Sequence, residues 1–251
     1  MVSGHSRLWL LGQFRLELPT GTVELCRNGQ RVLAFLALRR RVCRTVVAGT
    51  LWPEVTEEHA RGSLRTTLWK LPREEPPLIG SRGDTLLITP ALHLDVHDLT
   101  HAALGMVESS SGPPLHGEPP LGLLTGEDLL PGWDEDWVLV ERERLRQLRL
   151  HALDALAEAL TREGKRALAM EAAWASVRAE PLRESAHRAV IAAHLAEGNV
   201  GEAVRHYEAF RQLLQEELGV EPSPQLTRML PVGPRLRSTP SGGDARRGRL
   251  W

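Results

Sequence analysis

An α+β N-terminal domain followed by an all-α helical-repeat domain is the fold class this sequence predicts. Three observations predict it. Up to about residue 100, short strand-like and helix-like segments alternate and close on a Gly-rich hairpin. Residues 133–229 are helical in pattern throughout and repeat small residues at a spacing of 34. Between them, residues 104–128 are rich in Pro, Gly and Ser, as a connection would be. The expected organisation is a winged helix-turn-helix domain over residues 1–103, the connection over 104–128, a tetratricopeptide-like domain over 129–230, and a disordered tail over 231–251.

Residues 8–18 are apolar and then alternating. Phe14, Leu16 and Leu18 point one way and Arg15 and Glu17 the other, which predicts one half-buried strand. Pro19-Thr20-Gly21 is a turn, and residues 22–26 return antiparallel until Asn28-Gly29 ends the strand. Residues 30–41 read as a central helix with a wide apolar surface of Val32, Leu33, Phe35, Leu36 and Leu38. Arg39-Arg40-Arg41 closes it, where cations favour the helix dipole. A second, short helix covers 45–51, with Thr45 as N-cap and Pro53 barring continuation. A third covers 57–71. Residues 76–90, PPLIGSRGDTLLITP, form a hairpin whose tip carries Arg82. Leu92, Leu94 and Val96 read as a last strand segment leading to Asp98.

The third helix organises the front domain. Ala60, Leu64, Leu68 and Leu71 form one apolar stripe at about 100° per residue. The opposite face carries Gly62, Arg65, Thr66, Trp69 and Lys70, with Arg73 just beyond. Such a helix suits a DNA major groove, although an ordinary surface helix has the same pattern. The surrounding strands, two preceding helices and terminal hairpin favour the first reading. In that arrangement the third helix enters the groove, and the hairpin tip, here Arg82, approaches phosphate or the minor groove. Arg44 and Arg61 complete the candidate DNA-binding set.

Charge is sectored accordingly. Residues 27–73 hold ten Arg/Lys against three Glu, whereas residues 101–230 hold 13 basic against 21 acidic residues. The front half therefore suits an anion and the rear half does not. Cys26 and Cys43 match no metal spacing and read as free thiols. No segment approaches 18 apolar residues and no signal-peptide pattern is present, so a cytoplasmic, nucleoid-associated protein off the membrane is expected. No phosphate loop, nucleophile elbow or zinc motif supports an enzyme, and no cofactor is expected. His93, Asp95, His97, Asp98 and His101 read as a solvated strand edge and helix N-cap in preference to a metal site.

In the rear half, Ala152, Ala155, Ala159, Gly164 and Ala169 recur as Ala186, Ala189, Ala193, Gly198 and Ala203, the tetratricopeptide pattern of stacked helix pairs. Trp133 and Trp137, around an acidic Asp134-Glu135-Asp136, read as an aromatic anchor at the interface of the rear domain with the front one.

Residues 129–138, then Glu141-Arg142 and Leu145, resemble the start of the bacterial transcriptional activator domain. Residues 180–188 (EPLRESAHR), 194–199 (HLAEGN) and 217–223 (ELGVEPS) continue the match. With a preceding OmpR-like winged helix, this layout resembles the Streptomyces antibiotic regulatory proteins over about residues 8–230. The resemblance implies a transcriptional activator of a secondary-metabolite gene cluster. It implies binding to double-stranded DNA at promoter direct repeats by copies lying side by side. It also implies recruitment of RNA polymerase holoenzyme through the σ factor and the C-terminal domain of the polymerase α chain. Arg65, Thr66, Trp69, Lys70 and Arg73 fall on the family's recognition-helix segment and Arg82 on its wing. Ser63, Cys43-Arg44 and Pro72 depart from the family pattern, and Pro72 is expected to stop the helix a turn early. The alternative is a helical-repeat adaptor whose winged helix makes protein contacts in place of DNA contacts.

Overall fold

In the computed structural model, which describes residues 6–108 and 118–231, the run at 8–18 forms two strands where one was expected. These are β1 (Ser6–Trp9) and β2 (Arg15–Leu18). Gly12 makes the break, with a φ of +84° open to glycine. The amides released there are recaptured at long range. Leu10 N and Leu11 N donate to the buried carboxylate of Asp95 at 2.8–3.0 Å, and Gly12 N donates to the Asp128 carbonyl at 2.7 Å. Partners so distant in sequence leave no mark on local alternation.

β3 (Gly21–Val23) is shorter than expected, and Asn28-Gly29 belong to the first turn of α1 (Arg27–Arg39). Gly29 is buried there, where an added Cβ would lie 3.4 Å from Leu71 Cδ2. Arg40, at φ +63°, ends the helix, and residues Arg41–Cys43 form β4, a strand too short for the sequence pattern to show. Cys43, and not Thr45, occupies the N-cap position of α2 (Arg44–Leu51). The Thr45 hydroxyl instead accepts a hydrogen bond from Arg61 at 2.7 Å. α3 spans Glu57–Lys70, followed by β5 (Ile79–Arg82), β6 (Thr85–Ile88) and β7 (Leu92–Leu94). Val96 falls in α4 (Asp95–Glu108), and so do residues 104–108, which composition alone places in the connection.

Two sheets result. One has the order β3-β2-β1-β7, antiparallel except for the parallel β1–β7 pair, and sets Leu8 beside both Leu16 and Leu94. The other is antiparallel, β4-β6-β5, with Arg82 opposite Thr85 next to the Gly83-Asp84 turn. Leu33, Leu36, Val47, Leu51, Leu64, Leu86 and Leu99 are buried in the core, each with at most 2% of its surface exposed. This is the α+β winged helix-turn-helix arrangement expected.

The chain divides into two compact units between Ala159 and Leu160. That point lies inside α6 (Asp136–Arg162), well past residues 104–128. Residues 118–159, with α5 (Leu121–Leu124), therefore belong to the front unit. They are joined to it through the backbone: Leu11 bridges Leu129 antiparallel, and Leu130 N donates to the Leu10 carbonyl at 2.9 Å. In the second unit, α7 (Arg166–Ala179), α8 (Glu184–Ala196) and α9 (Val200–Leu218) stack in order, with α10 (Pro224–Thr227) closing the described chain. The repeat glycines Gly164 and Gly198 have φ of +72° and +78°, and Ala169, Ala186, Ala189, Ala193 and Ala203 are buried. Residues 232–251, most of the expected tail, lie outside the described residues, as do residues 109–117 of the connection.

Candidate nucleic-acid interface

α3 is built to show one face and bury the other. Glu57 and Glu58 occupy its first turn and Lys70 its last, which complements the helix dipole. Ala60 and Leu64 are buried, and Leu68 is half-buried. The buried stripe also takes Thr67, which sequence periodicity placed nowhere; its hydroxyl donates to the Ser63 carbonyl at 2.8 Å and so needs no other partner. Leu71 is extended (φ −67°, ψ 150°), so α3 stops at Lys70 ahead of Pro72.

Arg65, Thr66, Trp69 and Lys70 all lie exposed on α3, and Arg73 is exposed beyond its end. Arg82 is exposed at the end of β5. Among the described residues, Arg65, Lys70, Arg73 and Arg82 are cations whose side chains make no hydrogen bond or ion pair to the rest of the chain. Arg44 and Arg61 differ. Arg44 Nη2 donates to Ser81 Oγ at 3.2 Å and its amide to the Asp84 carbonyl at 2.8 Å, which ties the start of α2 to the hairpin. Arg61 pairs with Glu57 at 3.0 Å besides its bond to Thr45. Both position α2, α3 and the hairpin relative to one another. A cleft of about 610 Å³ beside α3 is lined by Asn28, His59 and Ser63 together with Arg65, Thr66 and Lys70. Asn28 was not expected there because periodicity within α3 cannot show which residues of α1 lie beside it; His59 is on α3 itself, outside the face read as outward.

Trp133 and Trp137 pack edge-to-face at 6.3 Å. Trp133 stacks on Phe14 at 6.3 Å and Trp137 meets Phe35 of α1 edge-on at 5.2 Å. All these contacts lie inside the front unit, and both indoles are at least nine-tenths buried. The acidic residues beside them are part of the joint. Glu135 pairs with Arg27 at 3.1 Å and Arg31 at 3.0 Å, and the Arg27 guanidinium lies 3.7 Å from the Trp133 ring. Two further arginines were not foreseen. Arg142 donates to the carbonyls of Leu129, Leu130 and Trp133, and Arg149 donates to the Glu127 carbonyl at 2.6 Å and to Asp128 at 3.3 Å. Burial lowers the Arg149 guanidinium below its ordinary value, against the pull of Asp128 and Asp95.

In the histidine-aspartate cluster His93, Asp98 and His101 are exposed, as a solvated edge would be, whereas Asp95 is buried and His97 half-buried. Burial raises the Asp95 carboxyl, opposed by the amides of Leu11, Leu10 and Val96. His93 bonds Asp98 at 2.7 Å, and Arg40 Nε donates to His97 Nε2 at 3.1 Å. Among the described residues, no group of three or more His, Cys, Asp or Glu side chains is placed to hold a metal ion. Cys26 and Cys43 are free and exposed. In the rear unit, His187 Nε2 lies 2.8 Å from the Pro181 carbonyl, which can only accept, so His187 Nδ1 accepts from His206 Nε2 at 2.9 Å. Burial first, then His187 and His194, hold His206 down to about 4, and burial lowers His187.

Residues 117–230 match the bacterial transcriptional activator domain family. The regulatory protein AfsR of Streptomyces coelicolor is 31% identical over 252 residues, covering 93% of this chain and 25% of that protein. Its counterpart in Streptomyces griseus is 31% identical over 224 residues, covering 82% and 22%. The chain thus spans about a quarter of the length of these curated relatives. The fold is shared with Mycobacterium tuberculosis EmbR, solved in complex with a low affinity phosphopeptide. The TM-score is 0.73 at 19% identity, covering 91% of this chain and 64% of that one. A winged-helix front with a transcriptional activator domain behind it defines a bacterial transcription regulator. With this domain and its likeness to the AfsR proteins, the chain is similar to the Streptomyces antibiotic regulatory proteins. Among the described residues, no helix is long and apolar enough to cross a membrane.

Proposed function

We propose that this regulator is a sequence-specific DNA-binding activator that occupies promoter direct repeats as side-by-side copies and recruits RNA polymerase holoenzyme to a secondary-metabolite gene cluster. The observation that carries the reading is the uncommitted cationic face of α3, where Arg65 and Lys70 flank Trp69 and are continued by Arg73 and, on the hairpin, Arg82. Arg65 suits a guanine edge through O6 and N7, and Lys70, Arg73 and Arg82 suit phosphate. Arg44 and Arg61 act one step back, by fixing the angle between α2, α3 and the hairpin. The acidic excess of residues 101–230 supports a partner surface in the rear half, with the σ factor and the C-terminal domain of the polymerase α chain as the partners to test.

Footprinting and anisotropy on the promoters of the neighbouring gene cluster test the first half. Protection of two repeats on one face of the duplex is the expected result. Run-off transcription with purified holoenzyme tests the second. A chain that protects no duplex yet binds polymerase would leave the adaptor reading standing in its place.

A further inference from the structure

Trp69 is 70% exposed, the most exposed large apolar side chain among the described residues. An indole held in water on a rigid helix is an unfavourable arrangement in the free protein, and it lies amid cations. Arg65 and Lys70 share its part of α3, and Arg73 follows. Glu57 and Glu58 lie at the other end of the helix, roughly 16 Å away at 1.5 Å per residue. The nearer acid is Glu74, half-buried, which lines an adjoining groove with Trp69, Pro72 and Arg73. The occupant of this face is therefore polyanionic and must offer an apolar group to the ring.

Resting on the DNA-binding reading above, we propose that Trp69 is a specificity-determining residue that reads the C5 methyl of a thymine in the major groove. Within an intact duplex the faces of the bases are stacked and closed to an indole. Among the base edges in the major groove, only that of thymine carries an apolar substituent, its C5 methyl. Arg65 stands one helical turn before Trp69, about 6 Å along the axis. The thymine therefore lies about two base pairs from the guanine that Arg65 contacts, at 3.4 Å per step.

The test is selection of duplexes from a randomised pool by the full chain and by Trp69→Ala, followed by anisotropy on the selected site. The full chain should enrich a thymine near the guanine, and Trp69→Ala should lose that preference while keeping the guanine. Replacing the thymine by deoxyuridine removes one methyl and should weaken the full chain roughly fourfold, and should leave Trp69→Ala unchanged. At the same position, 5-methylcytosine should bind better than cytosine. Equal binding of thymine and deoxyuridine, or a thymine preference that survives Trp69→Ala, overturns the assignment. A chain that selects no sequence at all overturns the DNA-binding reading and this assignment with it.

Discussion

Replacing Arg142 by Ala should loosen the seam between β1 and the segment entering α6. The guanidinium donates three bonds, from Nε to the Leu129 carbonyl at 2.8 Å and from Nη2 to those of Leu130 and Trp133 at 2.6 and 3.0 Å. Leu130 (φ +42°) and Gly132 (φ +81°) turn the chain so that these carbonyls converge on one cation. A hydrogen bond from a charged donor contributes about 1.5–3 kcal/mol. Three on one side chain are not additive, so about 3 kcal/mol is expected for the segment, or roughly 100-fold in its opening equilibrium. Native-state amide exchange reads this directly. Leu130 N is held by the Leu10 carbonyl at 2.9 Å and Gly12 N by the Asp128 carbonyl at 2.7 Å, and both should exchange faster by that factor. Arg142→Lys restores a charge without the fork and should recover only part of the protection. Unchanged exchange at Gly12 and Leu130 in a folded Arg142→Ala protein would refute the argument.

Arg65→Ala should cost about 1–3 kcal/mol of specific DNA affinity while the melting temperature stays put, because the side chain is exposed and carries no internal bond; anisotropy on the footprinted site checks it, and equal affinity excludes Arg65 from base readout. Arg82→Ala should lower the slope of log affinity against log salt by about 0.9, equally on specific and random duplexes; an unaltered slope means the hairpin does not dock on phosphate. The rear unit should lose stability in acid. His206 is held at about 4 against an ordinary 6.5, so the unfolded chain binds the extra proton between those values; the stabilisation is complete above 6.5 and fades as pH falls towards 4. Between pH 7 and 5 the loss should be on the order of 1–2 kcal/mol after solvent screening, seen as a falling unfolding midpoint, and His206→Gln should flatten that fall; identical pH profiles for the two proteins would refute it.

What could be read from the sequence was what periodicity and turn chemistry encode. The stripe of Ala60 and Leu64, the hairpin at Gly83-Asp84 and the left-handed turns at Gly164 and Gly198 are local signals, and the structure places them as read. The exposure of Arg65, Thr66, Trp69, Lys70, Arg73 and Arg82 followed from the same patterns. The failures share a cause. β4 is three residues long and exists because Val42 pairs with Leu86, and the break after β1 exists because Asp95 reaches Leu10 and Leu11. Composition puts the unit boundary at a Pro-rich stretch. The compact units divide inside α6, where residues 118–159 reach the front elements through the Leu11–Leu129 bridge, the pairing of Glu135 with Arg27 and Arg31, and two indoles set against Phe14 and Phe35. A contact made across many residues has no period to betray it.

The parallel pairing of β1 with β7 governs the order in which this chain can fold as it leaves the ribosome. β1, β2 and β3 emerge before β7 and can form a meander, but its outer edge waits for Leu92–Leu94 to fill it. The hydrogen bonds from Leu10 to Asp95 close a loop of 85 residues, whose entropic cost is about 4 kcal/mol before any contact repays it. Until then β1 presents unpaired amides and carbonyls beside Leu8 and Leu10, the composition that pairs with a neighbouring nascent chain. Arg7 beside Leu8, with Glu17 and Arg15 across the ladder on β2, places charge on this strand pair, the kind of residue that disfavours pairing with another chain. Substitutions that neutralise these charges should lower the yield of protein well before they lower its stability.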